Sequence, residues 1–161
     1  MKKETLSREN ILKMGIPFDN LEFASDGYDD CAYIVFYDKN GNEIPFTGIA
    51  YDFYRDSNVI VVYMFVKDGV RNGQYVEFYP NSKVKRILEM RDNVTFGECF
   101  EFYETGEIMR IEKRVAGFLI TFRQYDKDGN IIKEKNELSD FDKRISVSYT
   151  HLRAHETDQY L

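Results

Sequence analysis

From residue 31 onward the chain alternates apolar and polar positions, and it does so in the same way several times over. GIAYDFY (Gly48–Tyr54), GQYVEFY (Gly73–Tyr79) and GECFEFY (Gly97–Tyr103) are variants of one phrase, and CAYIVFY (Cys31–Tyr37) and GFLITFR (Gly117–Arg123) are looser copies. The third place after each start holds Ile34, Tyr51, Val76, Phe100 and Ile120. The fifth is always Phe: Phe36, Phe53, Phe78, Phe102 and Phe122. Between them stand Val35, Asp52, Glu77, Glu101 and Thr121, and the sixth place holds Tyr37, Tyr54, Tyr79, Tyr103 and Arg123. Period two marks a strand with one buried face, so the third and fifth columns are the expected core.

Each phrase runs into a turn rich in Asn, Asp, Gly, Ser or Pro, and then into a second strand-like run such as VIVVYMF, VKRILEM, IMRIEK or IIKEK. The linking stretches KDGVRNG and RDNVTFG place Gly69 and Asn93 where a positive φ is tolerated. The unit is therefore a β-hairpin of roughly two dozen residues. Short turns on both sides force antiparallel neighbours. The expected fold is mainly all-β, a twisted antiparallel meander of repeated hairpins with a short N-terminal helix. A four-residue loop would pair Tyr79 with Val84 and set Glu77 opposite Arg86. The next hairpin would pair Tyr103 with Ile108 and set Glu101 opposite Arg110, acid against base on a solvated face.

Ahead of the repeats, Ser7 can cap a helix over RENILKM that Gly15 and Pro17 end. One strand is expected near Leu21 to Phe23, and a turn at Asp26-Gly27. Residues 1–27 form the lead-in, 28–136 the hairpins and 137–146 a tail. Val147 to Thr157 resembles one reading frame of the transposase-end and adapter DNA used for shotgun libraries. Residues 147–161 are therefore expected to be foreign to the fold, and their removal to leave it unchanged.

Composition sharpens the functional picture. The 12 Tyr and 13 Phe suit strands. A net charge of −6 argues against nucleic-acid backbones and anionic membrane surfaces, while it suits a basic protein partner or plain solubility. Both histidines, His151 and His155, lie in the adapter-like stretch, so their metal-compatible spacing is set aside. Residues 1–146 then hold no histidine, which removes the commonest general base and metal ligand. Carboxylate chemistry stays open in principle, but no acid pair is singled out. Cys31 and Cys99 make neither a metal spacing nor a disulfide framework and fit a reducing compartment. MKKETLSREN has no apolar stretch behind it, and the run Val59 to Val66 is too short to cross a bilayer as a helix. A cytoplasmic, non-catalytic protein without metal or cofactor is expected.

PFTGIAYDFY (Pro45–Tyr54), RNGQYVEFYPNSKVK (Arg71–Lys85), FGECFEFYETGEI (Phe96–Ile108) and YDKDGNII (Tyr125–Ile132) carry a family likeness. Over roughly residues 28–136 the chain resembles the MORN-repeat superfamily, and is more closely similar to the MORN-variant repeats of YwqK-type antitoxins. It departs from the pattern at Cys31, which replaces a repeat glycine, at Ser57 and Ser82, which replace the turn glycine kept as Gly106, and in two extra residues before Tyr125. The resemblance implies an antitoxin or immunity role, binding and neutralising a protein toxin through the repeat sheet. The alternative is a structural or scaffolding repeat protein that mediates protein assembly. Canonical MORN proteins are also associated with membranes, which the acidic balance opposes here. The candidate partner-binding residues are Tyr54, Tyr79 and Tyr103 with Asp52, Glu77 and Glu101: carboxylates to steer a basic toxin and tyrosines to supply contact area. The competing reading has the tyrosine column pack under the N-terminal segment or against neighbouring strands and contact no partner.

Overall fold

A computed structural model describes the backbone of residues 4–24 and 33–158, with side chains to Tyr149. Cys31 and the Asp26-Gly27 turn lie outside the described residues. In chain order the elements are α1 (Arg8–Met14), β1 (Gly15–Pro17), a 3-10 turn (Phe18–Asn20), β2 (Glu22–Ala24), β3 (Tyr33–Tyr37), β4 (Glu43–Pro45), β5 (Gly48–Phe53) and β6 (Ile60–Lys67). There follow β7 (Val70–Phe78), β8 (Val84–Arg91), β9 (Val94–Thr95), β10 (Gly97–Phe102), β11 (Ile108–Val115), β12 (Phe118–Tyr125), β13 (Ile131–Lys135) and α2 (Asp140–Asp158).

The expected meander is present as a main sheet ordered β1-β5-β6-β7-β8-β10-β11-β12-β13, with β9 paired to β8. It departs from expectation at its start. The degenerate first hairpin, β3 with β4, joins β2 in a separate three-stranded sheet. The main-sheet edge it would have extended is taken by β1, which pairs in parallel with β5 from Gly15↔Ile49 to Pro17↔Tyr51. Gly15 makes that fit possible. A Cβ there would stand 2.7 Å from the Ile11 carbonyl oxygen and 2.8 Å from the Tyr51 ring. Ser7 caps α1 as its sequence position suggests, accepting the Asn10 N–H at 3.2 Å.

Both faces of the first half of the sheet are covered. On one, Ile11 of α1 meets Ile49, Tyr51, Tyr63, Val76, Ile87 and Phe100 in one buried cluster. On the other, Leu21, Ile34 and Phe46 from the small-sheet region meet Ala50, Val62, Met64 and Val66. The third-place column is buried throughout, with Val76 at 0% and Ile34 at 1% exposure. The fifth-place column is not a continuous core row. Phe53, Phe78 and Phe102 are half-buried against the α1-side cluster, and Phe36 is 39% exposed in the small sheet.

Phe122 breaks the column for a different reason. Between the linking turn and the main ladder, β6/β7 and β8/β10 each accommodate two extra residues, whereas β11/β12 has a single register shift at Lys113/Arg114. A one-residue difference sends every later side chain to the opposite face. Phe122 therefore pairs with Glu112, and the exposed Arg123 takes the position opposite Ile111. Gly117, which the sequence suggested as a phrase start, is instead the second residue of the linking turn. The pairs Asp68-Gly69, Asp92-Asn93 and Ala116-Gly117 all have positive φ, the two-residue type I′ turn that matches strand twist.

The tail also differs from expectation. Residues 137–146 lead into α2, which continues through the adapter-like stretch to Asp158. Ser139 and Asp142 cap its start reciprocally: the Asp142 carboxylate accepts from the Ser139 N–H and hydroxyl, and Ser139 Oγ accepts the Asp142 N–H. Lys135 of β13 pairs with Asp142 at 2.8 Å. The Phe118 ring lies 5.5 Å from Phe141 and the Phe96 ring 6.2 Å from Tyr149, so the helix touches the sheet on both sides of residue 147.

Candidate partner-binding surface

The outer ends of the hairpins share one loop. The N–H of its first residue bonds the carbonyl that closes the loop: Asp38 to Asn42, Tyr54 to Val59, Tyr79 to Lys83, Tyr103 to Glu107 and Asp126 to Asn130. In four of these the fourth residue has positive φ, namely Gly41, Ser82, Gly106 and Gly129. This is a type I turn closed by a bulge. It explains the register found. Phe78 pairs with Val84 and Phe102 with Ile108, where the sequence reading had Tyr79 and Tyr103, yet Glu77 still faces Arg86 and Glu101 still faces Arg110.

The first residue of each loop decides how it is tied down. In the three inner hairpins it is Tyr, and each hydroxyl donates to a backbone carbonyl of the next hairpin: Tyr54 to Phe78 at 2.6 Å, Tyr79 to Phe102 at 2.8 Å and Tyr103 to Tyr125 at 2.8 Å. In the first and last hairpins it is Asp. Asp38 Oδ1 accepts from Asn40 and Asn42, and Asp126 Oδ1 accepts from Asp128 and Asn130, so each carboxylate closes its own loop. The Asn42 and Asn130 side-chain amides also donate to Oδ2 of Asp38 and Asp126, and these bonds, followed by the backbone ones, hold both carboxyls below their ordinary range. The candidate tyrosines are thus inter-hairpin staples whose rings stay half-exposed. They lie in line, two strands apart, at about 10 Å spacing.

The loops are tied laterally as well. Lys83 Nζ donates to the Thr105 carbonyl at 2.7 Å, Asn81 Nδ2 donates to the Glu104 carbonyl at 3.2 Å, and Lys127 stands 5.8 Å from the centre of the Tyr103 ring. The result is a stiff rim rather than a set of independent loops.

The candidate carboxylates occupy the face opposite α1. Asp52 accepts the Phe53 N–H at 2.8 Å. Glu77 meets Lys85 at 3.5 Å and Arg86 at 3.7 Å, and Arg86 reaches Glu101 at 3.0 Å. Arg110, expected to neutralise Glu101, turns instead to Glu112 at 2.5 Å and lies 4.1 Å over the Phe122 ring. The slip that delivered Phe122 to this face therefore redirects the arginine. One Arg86 then serves both Glu77 and Glu101. Burial raises the Tyr54 pKa, and the Glu77, Tyr79 and Glu104 charges raise it further. Burial likewise raises Tyr79, followed by Glu104 and Glu101.

Tyr54, Tyr79, Tyr103, Glu77 and Glu101 therefore meet along one margin of the sheet. Glu104, which the sequence reading left as a turn residue, belongs with them, and its place directly after Tyr103 was the available signal. Among the described residues no group of three or more His, Cys, Asp and Glu could hold a metal, and no helix is long and apolar enough to cross a membrane. No family model, curated protein or solved structure matches the chain.

Proposed function

We propose that this chain is a non-catalytic binding protein of the MORN-variant antitoxin kind, acting in the cytoplasm by covering a basic protein toxin. One observation carries the reading: the tyrosines Tyr54, Tyr79 and Tyr103 are held in a row by their own hydroxyl bonds, with Glu77, Glu101 and Glu104 beside them. Rings already fixed lose little freedom on binding, so more of their contact energy appears as affinity. Carboxylates at the same margin attract a basic surface and speed its approach. The test is co-expression with the product of the adjacent gene. Restored growth and recovery of a stable complex are expected. A neighbouring product that is harmless alone and does not co-purify would overturn the assignment.

The open edge of β13 favours a second reading, scaffolding by self-assembly. Among the described residues this strand pairs only with β12, and Ile131 and Ile132 are 50% and 57% exposed. Sedimentation of the purified chain as a concentration-dependent oligomer would support it over the antitoxin reading.

A further inference from the structure

The loops that begin at Asp38 and Asp126 are near copies of each other. One reads Asp-Lys-Asn-Gly-Asn over 38–42 and the other Asp-Lys-Asp-Gly-Asn over 126–130, so they differ only at Asn40 and Asp128. Their bonds match one for one. Oδ1 of the first Asp accepts the N–H groups two and four residues on, and Oδ2 accepts the amide of Asn42 or Asn130. The glycine N–H donates to the first carbonyl, at 3.0 Å from Gly41 and 3.2 Å from Gly129. The same loop thus accepts either Asn or Asp at its third place.

Asn followed by Gly is the step at which a chain most readily loses a side-chain amide, because glycine leaves its own nitrogen unobstructed. The chain has two such steps, Asn40-Gly41 and Asn72-Gly73. Asn40 and Gly41 are exposed, and among the described residues the Asn40 side-chain amide makes no hydrogen bond. A Cβ on Gly41 would meet nothing within 4 Å, so the space around its nitrogen is open. Asn72 and Gly73 are half-buried inside β7. There the Asn72 amide donates to Asp92 at 3.3 Å, and a Cβ on Gly73 would stand 3.0 Å from Phe65 Cβ.

We propose that Asn40 is a site of spontaneous deamidation, and that the Asp126 loop shows the form its aspartate product takes. The Gly41 backbone nitrogen attacks Cγ of Asn40 and loses its proton to solvent. The new N–C bond closes a succinimide ring as the Cγ–Nδ2 bond breaks, and Nδ2 takes up a proton and leaves as ammonia. Water then opens the ring. Cleavage between Cγ and the Gly41 nitrogen leaves an aspartate at position 40, which the loop holds as it holds Asp128. Cleavage at the main-chain carbonyl leaves an isoaspartate, whose longer backbone pulls Asn42 off the Asp38 carboxylate. The Gly41 nitrogen is tied to the Asp38 carbonyl, so attack follows local opening of the loop.

The test incubates the full chain at mildly alkaline pH. Peptide mapping follows amide loss at each Asn, and isoaspartyl methyltransferase labelling reports the isoaspartate. Loss at Asn40 should outpace loss at Asn72 by about tenfold or more, because an exposed loop opens locally and a paired strand does not. Asp38→Ala, which removes the side-chain ties, should speed loss at Asn40 and leave Asn72 unchanged. Asn40→Asp should keep the hydrogen-exchange protection of the Asn42 amide, as the Asp126 loop implies. Loss at Asn72 that keeps pace with Asn40, or an Asn40 that stays intact in both the parent and Asp38→Ala, would overturn the site. Loss of Asn42 protection in Asn40→Asp would overturn the Asp126 loop as the form of the product.

Discussion

The Tyr79 hydroxyl donates a 2.8 Å hydrogen bond to the carbonyl of Phe102, the residue immediately before the next tyrosine of the series. The relation repeats from Tyr54 to Phe78 and shifts to Tyr125 for the last tyrosine. Each inner hairpin thus helps hold its successor.

Tyr79→Phe keeps the ring and removes only this bond. It should cost about 0.5–1.5 kcal/mol in urea unfolding, the usual net worth of one hydrogen bond. Tyr54→Phe should cost a similar amount. Full stability in both variants would show that the hydroxyls do not couple the hairpins.

Burial separates core from surface more sharply than the repeat phrase does. Ile87, at 2% exposure, should cost about 2–5 kcal/mol when changed to Ala, whereas Ile132→Ala, on the open edge strand, should stay within about 0.5 kcal/mol. Equal effects would mean that the face assignment is wrong.

Asp142 gives a pH signature. Its bonds from Lys135 and then Ser139 lower its pKa from 3.8 to about 2. A depressed carboxylate stabilises the folded state above its unfolded pKa, and that stabilisation is lost as pH falls through the folded value. Unfolding followed between about pH 4 and pH 2 should therefore show a loss of stability in the parent that is reduced in Asp142→Asn. Parallel pH profiles would contradict the pairing of α2 with β13.

Removal of residues 147–161 should leave the sheet intact and cost no more than about 1.5 kcal/mol, the upper range for an aromatic pair such as Phe96 with Tyr149. Loss of cooperative unfolding in the truncated chain would show that the adapter-like stretch has become part of the fold.

Much of this architecture was legible because the repeats encode it locally. Period-two columns gave the hairpins, the polar turns gave their ends, and Glu77 against Arg86 gave the register. The departures arise where a local pattern meets a tertiary choice. Nothing in GIP announces that Gly15–Pro17 will take the edge of β5, because parallel pairing with a distant strand leaves no local periodicity. Phe122 kept its place in the phrase while one fewer residue in the preceding irregularity turned it over. At the candidate surface the sequence pattern placed the tyrosines in one column, but their bonding was hidden. A tyrosine that reaches the next strand and one that points outward read identically in sequence. The Asp38 and Asp126 that stand in the tyrosine's place in the first and last described hairpins hinted at the difference.

The central claim is that an acidic, tyrosine-lined margin captures a basic protein. The most direct measurement is the association rate with the adjacent gene's product at rising salt, for the parent and for Glu104→Lys, a change at an exposed loop residue. The account predicts a parent rate that falls steeply with salt and a variant that associates more slowly at low salt, with the two converging at high salt. Identical rates for parent and variant across the salt range, with both chains folded and binding, would contradict it.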